Sequence, residues 1–292
     1  MEYVEARRDV IEERLREVVA AVEPTELEDE LAHVVLAGGK RVRPTLTLLA
    51  CEAAGGSVWS SDSESLGPNG QTALDFAVGV ELVHNASLVV DDIIDQSALR
   101  RGSESAWAAY GHGPAIVASD GLLGEAFALF SADSRALESV SRALVELGEG
   151  EAVELVDQPS SESEYMELAR RKTGALFRTA AELGAIAADA DAATIDALGE
   201  YAERVGIAFQ IRDDVLDSVA DAEDLGKPTG QDDTMDRPSI VRVTGEDPET
   251  LTERARMESE AALAALDRVA VEDSEARQYL EDLATFVVDR DR

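Results

Sequence analysis

The chain has 292 residues, with 61 acidic against 26 basic side chains, a formal net charge of −35, 45% hydrophobic residues and one cysteine. The charge argues against a nucleic-acid-binding surface, which needs the opposite sign. The lone Cys51 excludes an internal disulfide, so a reducing compartment and a small core role for that residue are expected. Disorder is common at such a charge, but the apolar residues recur with helical period, which predicts a folded core with the excess acid on its surface. That surface suits a cytoplasm full of salt, where the Debye length shrinks to about 3 Å at 1 M. The N-terminal Met1–Arg8 lacks a signal-peptide core, and no run reaches the roughly 18 uncharged apolar residues of a membrane span. A soluble, cytoplasmic protein is expected.

In chain order, Val4, Ile11, Leu15, Val18, Val19 and Val22 predict a first amphipathic helix stopped by Pro24. Thr25 and Glu28 read as a capping box opening a second helix, which Gly38-Gly39 ends. A third helix follows Pro44 and stops at Gly55-Gly56, after which residues 57–70 predict an exposed loop. From Gln71 to about Asp95 the sequence is continuously apolar, as in a helix buried within a bundle. Pro114 suits the first turn of a helix reaching Phe130, and periodic segments cover 134–157, 162–188, 191–220, 248–270 and 273–289. Asp247-Pro248 supplies a cap and first residue for the penultimate one. No alternating strand is evident, and the polar stretch 221–237 predicts a lid loop beside a functional site. The predicted fold class is all-α, a single large helical bundle around a central cavity, with 1–292 as one domain.

Two segments, Asp91-Asp92-Ile93-Ile94-Asp95 and Asp213-Asp214-Val215-Leu216-Asp217, repeat one spacing. On a helix Asp91 and Asp95 share a face, as do Asp213 and Asp217, with Cβ atoms about 5–6 Å apart. Like charges so placed repel, more strongly when desolvated, and a divalent cation removes the conflict. In so acidic a chain one such motif alone reads as a solvated helix face. The apolar flanks Leu88, Val89, Val90, Ile93 and Ile94, and Phe209, Ile211, Val215 and Leu216, argue that both helices pack inside. Hard oxygen ligands of this kind suit Mg²⁺ shared with substrate phosphates. Basic residues are scarce yet gather nearby in sequence: Lys40-Arg41-Val42-Arg43 at a helix break, Arg100-Arg101 after the first motif, Lys172-Thr173, and Lys227. A solvated turn is the bland account of each; together they fit diphosphate oxygens. Gln210 lies on the helix face of Asp213, Asp214 and Asp217, and His84 on that of Asp91 and Asp95, whereas His33 and His112 read as structural.

The blocks GGKRVRP, HNASLVVDDIID, SALRRG, DGLLGEAFALF, RKTGALF, FQIRDDVLD and LGKPTG occur in that order, and with them the chain resembles the trans-isoprenyl diphosphate synthases of the polyprenyl synthetase family over nearly its whole length. The resemblance implies an isoprenoid-synthase fold, a homodimer, and both aspartate motifs facing a central cavity around a cluster of three Mg²⁺ ions. Asp91, Asp92, Asp95, Asp213, Asp214 and Asp217 would hold the metals. Lys40, Arg43, His84 and Arg101 would bind isopentenyl diphosphate, and Arg100, Lys172 and Lys227 the allylic diphosphate. Thr173 and Gln210 would face the developing carbocation. The implied reaction is ionisation, condensation and proton loss, with no protein nucleophile.

In this family a bulky residue just upstream of the first motif stops the product at farnesyl. Ser87, Ala86, Val83 and Gly79 stand there, so a tunnel open to geranylgeranyl diphosphate or longer is expected, with Phe127 and Phe130 as candidate stoppers. Three departures from the family pattern stand out: Ser119 for Gly, Glu151 for Gln, and Thr234–Ser239 for a Gly-Lys run, where Arg237 takes the place of a diphosphate-binding lysine. Two other functions are compatible with such a fold. A class I terpene cyclase of the same fold would not use Lys40, Arg43 and His84, and a noncatalytic synthase subunit would show an eroded metal motif.

Overall fold

The computed structural model describes residues 2–60, 65–224, 238–270 and 274–289. Its elements are α1 (Glu2–Ala20), α2 (Thr25–Val35), α3 (Val42–Ala53), α4 (Gly70–Ile94), a hairpin of β1 (Leu99–Arg100) and β2 (Ser103–Glu104), α5 (Ala106–Tyr110), α6 (His112–Phe130), α7 (Ser134–Val156), α8 (Glu162–Ala169), a π-turn (Arg170–Gly174), α9 (Ala175–Ala187), α10 (Ala192–Asp224), α11 (Ile240–Thr244), α12 (Pro248–Leu266) and α13 (Glu275–Asp289). The all-α expectation is met. The chain divides into two compact units, one of Met1–Glu138 with Leu183–Asp189, the other of Ser139–Glu182 with Ala190–Arg292.

In the first unit α4 packs on α3 and α6. Its Phe76, Val80, Leu82, Val83 and Ala86 are buried, and each large apolar side chain so removed from water contributes about 1.5–3 kcal/mol. Phe130 of α6 lies over Gly79, where an added Cβ would come 2.6 Å from its ring. The ring is tilted against Phe76 at 6.0 Å between centroids. In the second unit α10 is the axis, packed by α12, α13 and the π-turn. Tyr201, fully buried on α10, donates to the carbonyl of Leu280 at 2.6 Å.

Several expectations are corrected. The capping box at Thr25 does not form: Pro24 is the N-cap, and its carbonyl accepts from the amides of Leu27 and Glu28. Pro44 lies inside the first turn of α3 and not ahead of it, whereas Pro114 lies in the first turn of α6 as expected; a missing N–H costs nothing at either place. The 57–70 segment is not merely an exposed loop, because Val58 is fully buried and Trp59 bridges to Leu66. The helix expected over 162–188 runs through to Ala187 with the π-turn as a bulge inside it, and α10 continues to Asp224, so the first residues of the expected lid are helical. The rest of that lid, with Lys227 and Arg237, lies outside the described residues. Asp247 caps α12 as expected, accepting from the amides of Glu249 and Thr250 at 3.1 and 3.0 Å. By length and composition α4 and α6 are each long and apolar enough to cross a membrane, but both carry acidic residues, so neither is the uncharged run that the sequence lacks; the apolar window of α4 is 72% buried inside the protein, as in a core helix, and that of α6 33%.

Candidate active site

The first unit gathers cations around the C-terminal half of α4. Arg41 and Arg43, adjacent in the sequence cluster, do different things. Arg41 is buried with a left-handed backbone (φ 52°), and it pairs with Glu12 at 2.7 Å and Glu81 at 2.8 Å while donating to the carbonyl of Val35. It ties α1, α3 and α4 together and is spent on the fold. Arg43 Nη1 instead approaches Nε2 of His84 at 3.2 Å. An arginine is always a donor, so His84 accepts through Nε2 and is neutral, its proton on Nδ1. Burial and the cations Arg43, Arg101, Arg100 and Arg41 all hold the imidazole well below its ordinary pKa. Burial likewise brings the Arg43 guanidinium down to about 10, with Arg101 lowering it further against the pull of Glu81. Arg43 and Arg101 thus repel each other beside His84, with Glu81 pulling the other way, and an anion bound there would ease the repulsion.

The hairpin delivers the next two arginines. Its two-residue loop, Arg101-Gly102, has φ of 53° and 81°, the left-handed pair that a tight β-turn needs. His33 secures it by donating to the carbonyl of Glu104 at 2.8 Å, the structural role expected of that histidine. Arg100 folds back on the buried Asp92, its Nε 3.0 and 3.1 Å from the two carboxylate oxygens. Arg101 donates to the carbonyl of Gly38, and its guanidinium lies so near Gly39 that a Cβ there would sit 2.9 Å from Nη1. Lys40 is exposed. A cleft of about 370 Å³, including its open mouth, is lined by His33, Asn85, Asp92, Arg100, Arg101 and Ser105.

In the second unit Lys172 and Thr173 sit in the π-turn, a rare wide turn that often marks a functional site. Lys172 is paired with Glu151 at 2.8 Å and with Glu154. The Thr173 hydroxyl donates to Oε1 of Gln210 at 2.9 Å, and Nε2 of Gln210 donates to Asp214 at 2.9 Å. Asp214 also accepts from the hydroxyl of the buried Tyr165 at 2.6 Å and from the amide of Ile240 at 2.8 Å. Burial raises the Asp214 pKa against these three donors, and burial with the Asp214 charge pushes the Tyr165 phenol up. The chain of bonds fixes which way the Gln210 amide points, and because the Thr173 hydroxyl donates its hydrogen to Gln210, that bond leaves the Thr173 oxygen able to accept.

Among the described residues no three Asp, Glu, His or Cys side chains converge as a ready-made metal site. The middle aspartate of each motif is already engaged, Asp92 by Arg100 and Asp214 by three donors. Asp91, Asp95 and Asp213 are partly exposed and Asp217 is exposed. Asp91 and Asp95 also stand at the C-terminal end of α4, where the helix dipole disfavours carboxylates and favours a cation. Mg²⁺ commonly takes only one or two carboxylates and completes its octahedron with water and phosphate oxygens, so two carboxylates per motif fit it.

The polyprenyl synthetase family model matches residues 24–273. The chain belongs to the polyprenyl synthetase family. It is 32% identical to a short chain isoprenyl diphosphate synthase from Methanothermobacter thermautotrophicus, over 100% of this chain and 98% of that one. A geranylfarnesyl diphosphate synthase from Natronomonas pharaonis is also 32% identical, over 97% and 96%. The solved geranylgeranyl pyrophosphate synthetase from Pyrococcus horikoshii matches with a TM-score of 0.84 and 32% identity over 99% and 98%. This polyprenyl synthetase is thus a trans-prenyltransferase with the isoprenoid-synthase fold, as its motifs imply.

Of the residues singled out in the sequence, the synthase brings together Arg43 with His84, Arg100 with Asp92, and Thr173 with Gln210 and Asp214. Val83 and Ala86 are buried, the Ala86 carbonyl accepting from Ser119 of α6 at 3.2 Å, whereas Ser87 is partly exposed. Phe130 is packed on α4 at Gly79, and Phe127 is partly exposed. Tyr165 and Glu154 were missed. Each is one ordinary residue of an amphipathic helix, and only the fold shows that its polar tip ends on Asp214 or Lys172.

Proposed function

We propose that this polyprenyl synthetase condenses isopentenyl diphosphate with an allylic diphosphate and makes geranylgeranyl diphosphate or a longer all-trans product, the whole chain acting as one catalytic domain. The observation that carries the reading is the convergence of Arg43 and Arg101 on the neutral His84, where burial and mutual repulsion lower all three pKa values and a diphosphate would be welcome within an otherwise acidic protein. Arg43, Arg101, Lys40 and His84 bind isopentenyl diphosphate. Arg100, Lys172, Lys227 and Arg237 hold the allylic diphosphate, the last two from the proposed lid. Asp91 and Asp95 in one motif, and Asp213 and Asp217 in the other, would hold magnesium, with Asp92 and Asp214 anchoring the two motifs. Bound magnesium neutralises charge on the departing diphosphate.

The allylic C–O bond breaks and its electron pair leaves with the diphosphate. Thr173 and Gln210 present oxygen dipoles to the cation left behind, and water is kept away from it. The isopentenyl double bond supplies the electrons of the new C–C bond, and the proton lost from the adduct goes to the departed diphosphate.

Small side chains upstream of Asp91 favour a long product, because Gly79 and Phe130 lie about 18 Å down α4 from that aspartate. A homodimer accords with the exposed Ile116 and Val117 on α6, and a salt-rich cytoplasm with the charge of −35. The test of product length is incubation with Mg²⁺, isopentenyl diphosphate and each allylic primer, with products sized by chromatography. A product of twenty carbons or more is expected; farnesyl as main product would sink the open-tunnel argument.

A further inference from the structure

The three consecutive cations of the π-turn are each met by an acid of α7. Arg170 pairs with Glu146 at 2.8 Å, Arg171 with Glu149 at 2.6 Å, and Lys172 with Glu151 at 2.8 Å and with Glu154. Gly150 makes this close approach possible. A Cβ at that position would lie 3.0 Å from Cγ of Lys172 and 3.1 Å from Cβ of Arg171. Glu151 and Glu154 are one helical turn apart, and their side chains keep only 19% and 13% of their exposure, so solvent screens them weakly. One ammonium between two carboxylates leaves a net negative charge. The neutral glutamine that the family pattern has at position 151 would leave none.

We propose that Glu151 and Glu154 are positioning residues that cradle the Lys172 ammonium, and that an allylic diphosphate obtains this lysine by displacing it from the cradle. Glu151 then sets the affinity: its charge both holds Lys172 back and repels the incoming diphosphate. The net rise in the Lys172 pKa, in which the two glutamates outweigh burial, agrees with a tightly held ammonium. The inference rests on the reading of Lys172 as a diphosphate ligand, and the experiment separates the two.

Inorganic pyrophosphate binding with Mg²⁺ is measured by calorimetry for the full-length protein and for Glu151→Gln, Glu154→Gln and Lys172→Gln. It is run at the lowest KCl that preserves native circular dichroism and again at molar KCl, alongside KM and kcat for the allylic primer. Glu151→Gln is expected to tighten pyrophosphate binding and lower the primer KM by about three- to tenfold at low salt, with kcat changed by less than about twofold. The advantage fades in molar KCl as screening replaces the lost charge. Glu154→Gln moves binding in the same direction, a second route should one variant fold poorly. Unchanged or weaker pyrophosphate binding in both variants, with Lys172→Gln weakening it about tenfold, would overturn the cradle while leaving the lysine's assignment standing. Wild-type affinity in Lys172→Gln would overturn that assignment, and the cradle with it.

Discussion

On the proposed assignment, the two units meet diphosphate with opposite electrostatics. Around α4 the first unit brings Arg43 and Arg101 beside His84, where burial and mutual repulsion lower the pKa values of all three, while Arg100 is held by Asp92. In the second unit each cation of the π-turn already has a carboxylate, and Asp214 already has three donors. The first arrangement is poised to take up an anion; the second must exchange partners to do so. Charge alone, counted along the sequence, would rank Arg41, Arg43 and Lys172 as equivalents, and it is their partners that separate them.

The largest effect tests what the two regions share. Asp91→Asn and Asp213→Asn should each lower kcat by about 10²- to 10³-fold, the scale of removing a group that stabilises charge in the transition state. A loss confined to one of them would break the symmetry of the motifs. Next, Arg41 and Arg43 should part company. Arg43→Met is expected to raise KM for isopentenyl diphosphate by about tenfold or more with little loss of stability. Arg41→Met leaves Glu81 buried without its partner and should cost about 3–5 kcal/mol in chemical denaturation. A variant Arg41 that stayed stable but lost substrate would contradict its structural assignment.

Smaller effects sharpen the second unit and then the first. Tyr165→Phe removes one of the three donors to Asp214, for about 1–2 kcal/mol of stability and a severalfold lower kcat as the Gln210 amide loosens. Unaltered kcat would place Tyr165 outside the catalytic network. His84 is the subtlest. Its folded pKa lies below the ordinary 6.5, so the unfolded chain takes up the proton first as pH falls. Its contribution is therefore whole above about pH 6.5 and is lost below it. His84→Asn should lose stability less steeply than the wild type as pH drops from about 6.5 to 5, measured by denaturant midpoints.

Much of this was legible in the residues. The apolar period predicted α4 and α10, and the paired aspartate spacing predicted their helical faces, because both follow from local geometry. The π-turn was not legible: Arg170–Gly174 continue a helical pattern, and the extra residue is accommodated by contacts with α7 and α10 that lie far off in sequence. The hairpin at Leu99–Glu104 escaped for a related reason, since its strands are too short to show alternation and its turn uses an arginine at positive φ. Arg41 was grouped with Lys40 and Arg43 because nothing local announces that Glu12 and Glu81 close over it.

The most direct measurement is the fate of labelled isopentenyl diphosphate with an allylic primer and Mg²⁺ at high salt, followed together with release of diphosphate. Stoichiometric incorporation of the label into a longer prenyl chain, one diphosphate released for each unit added, is the predicted result. Diphosphate release without consumption of isopentenyl diphosphate, or no turnover while both substrates still bind, would contradict it.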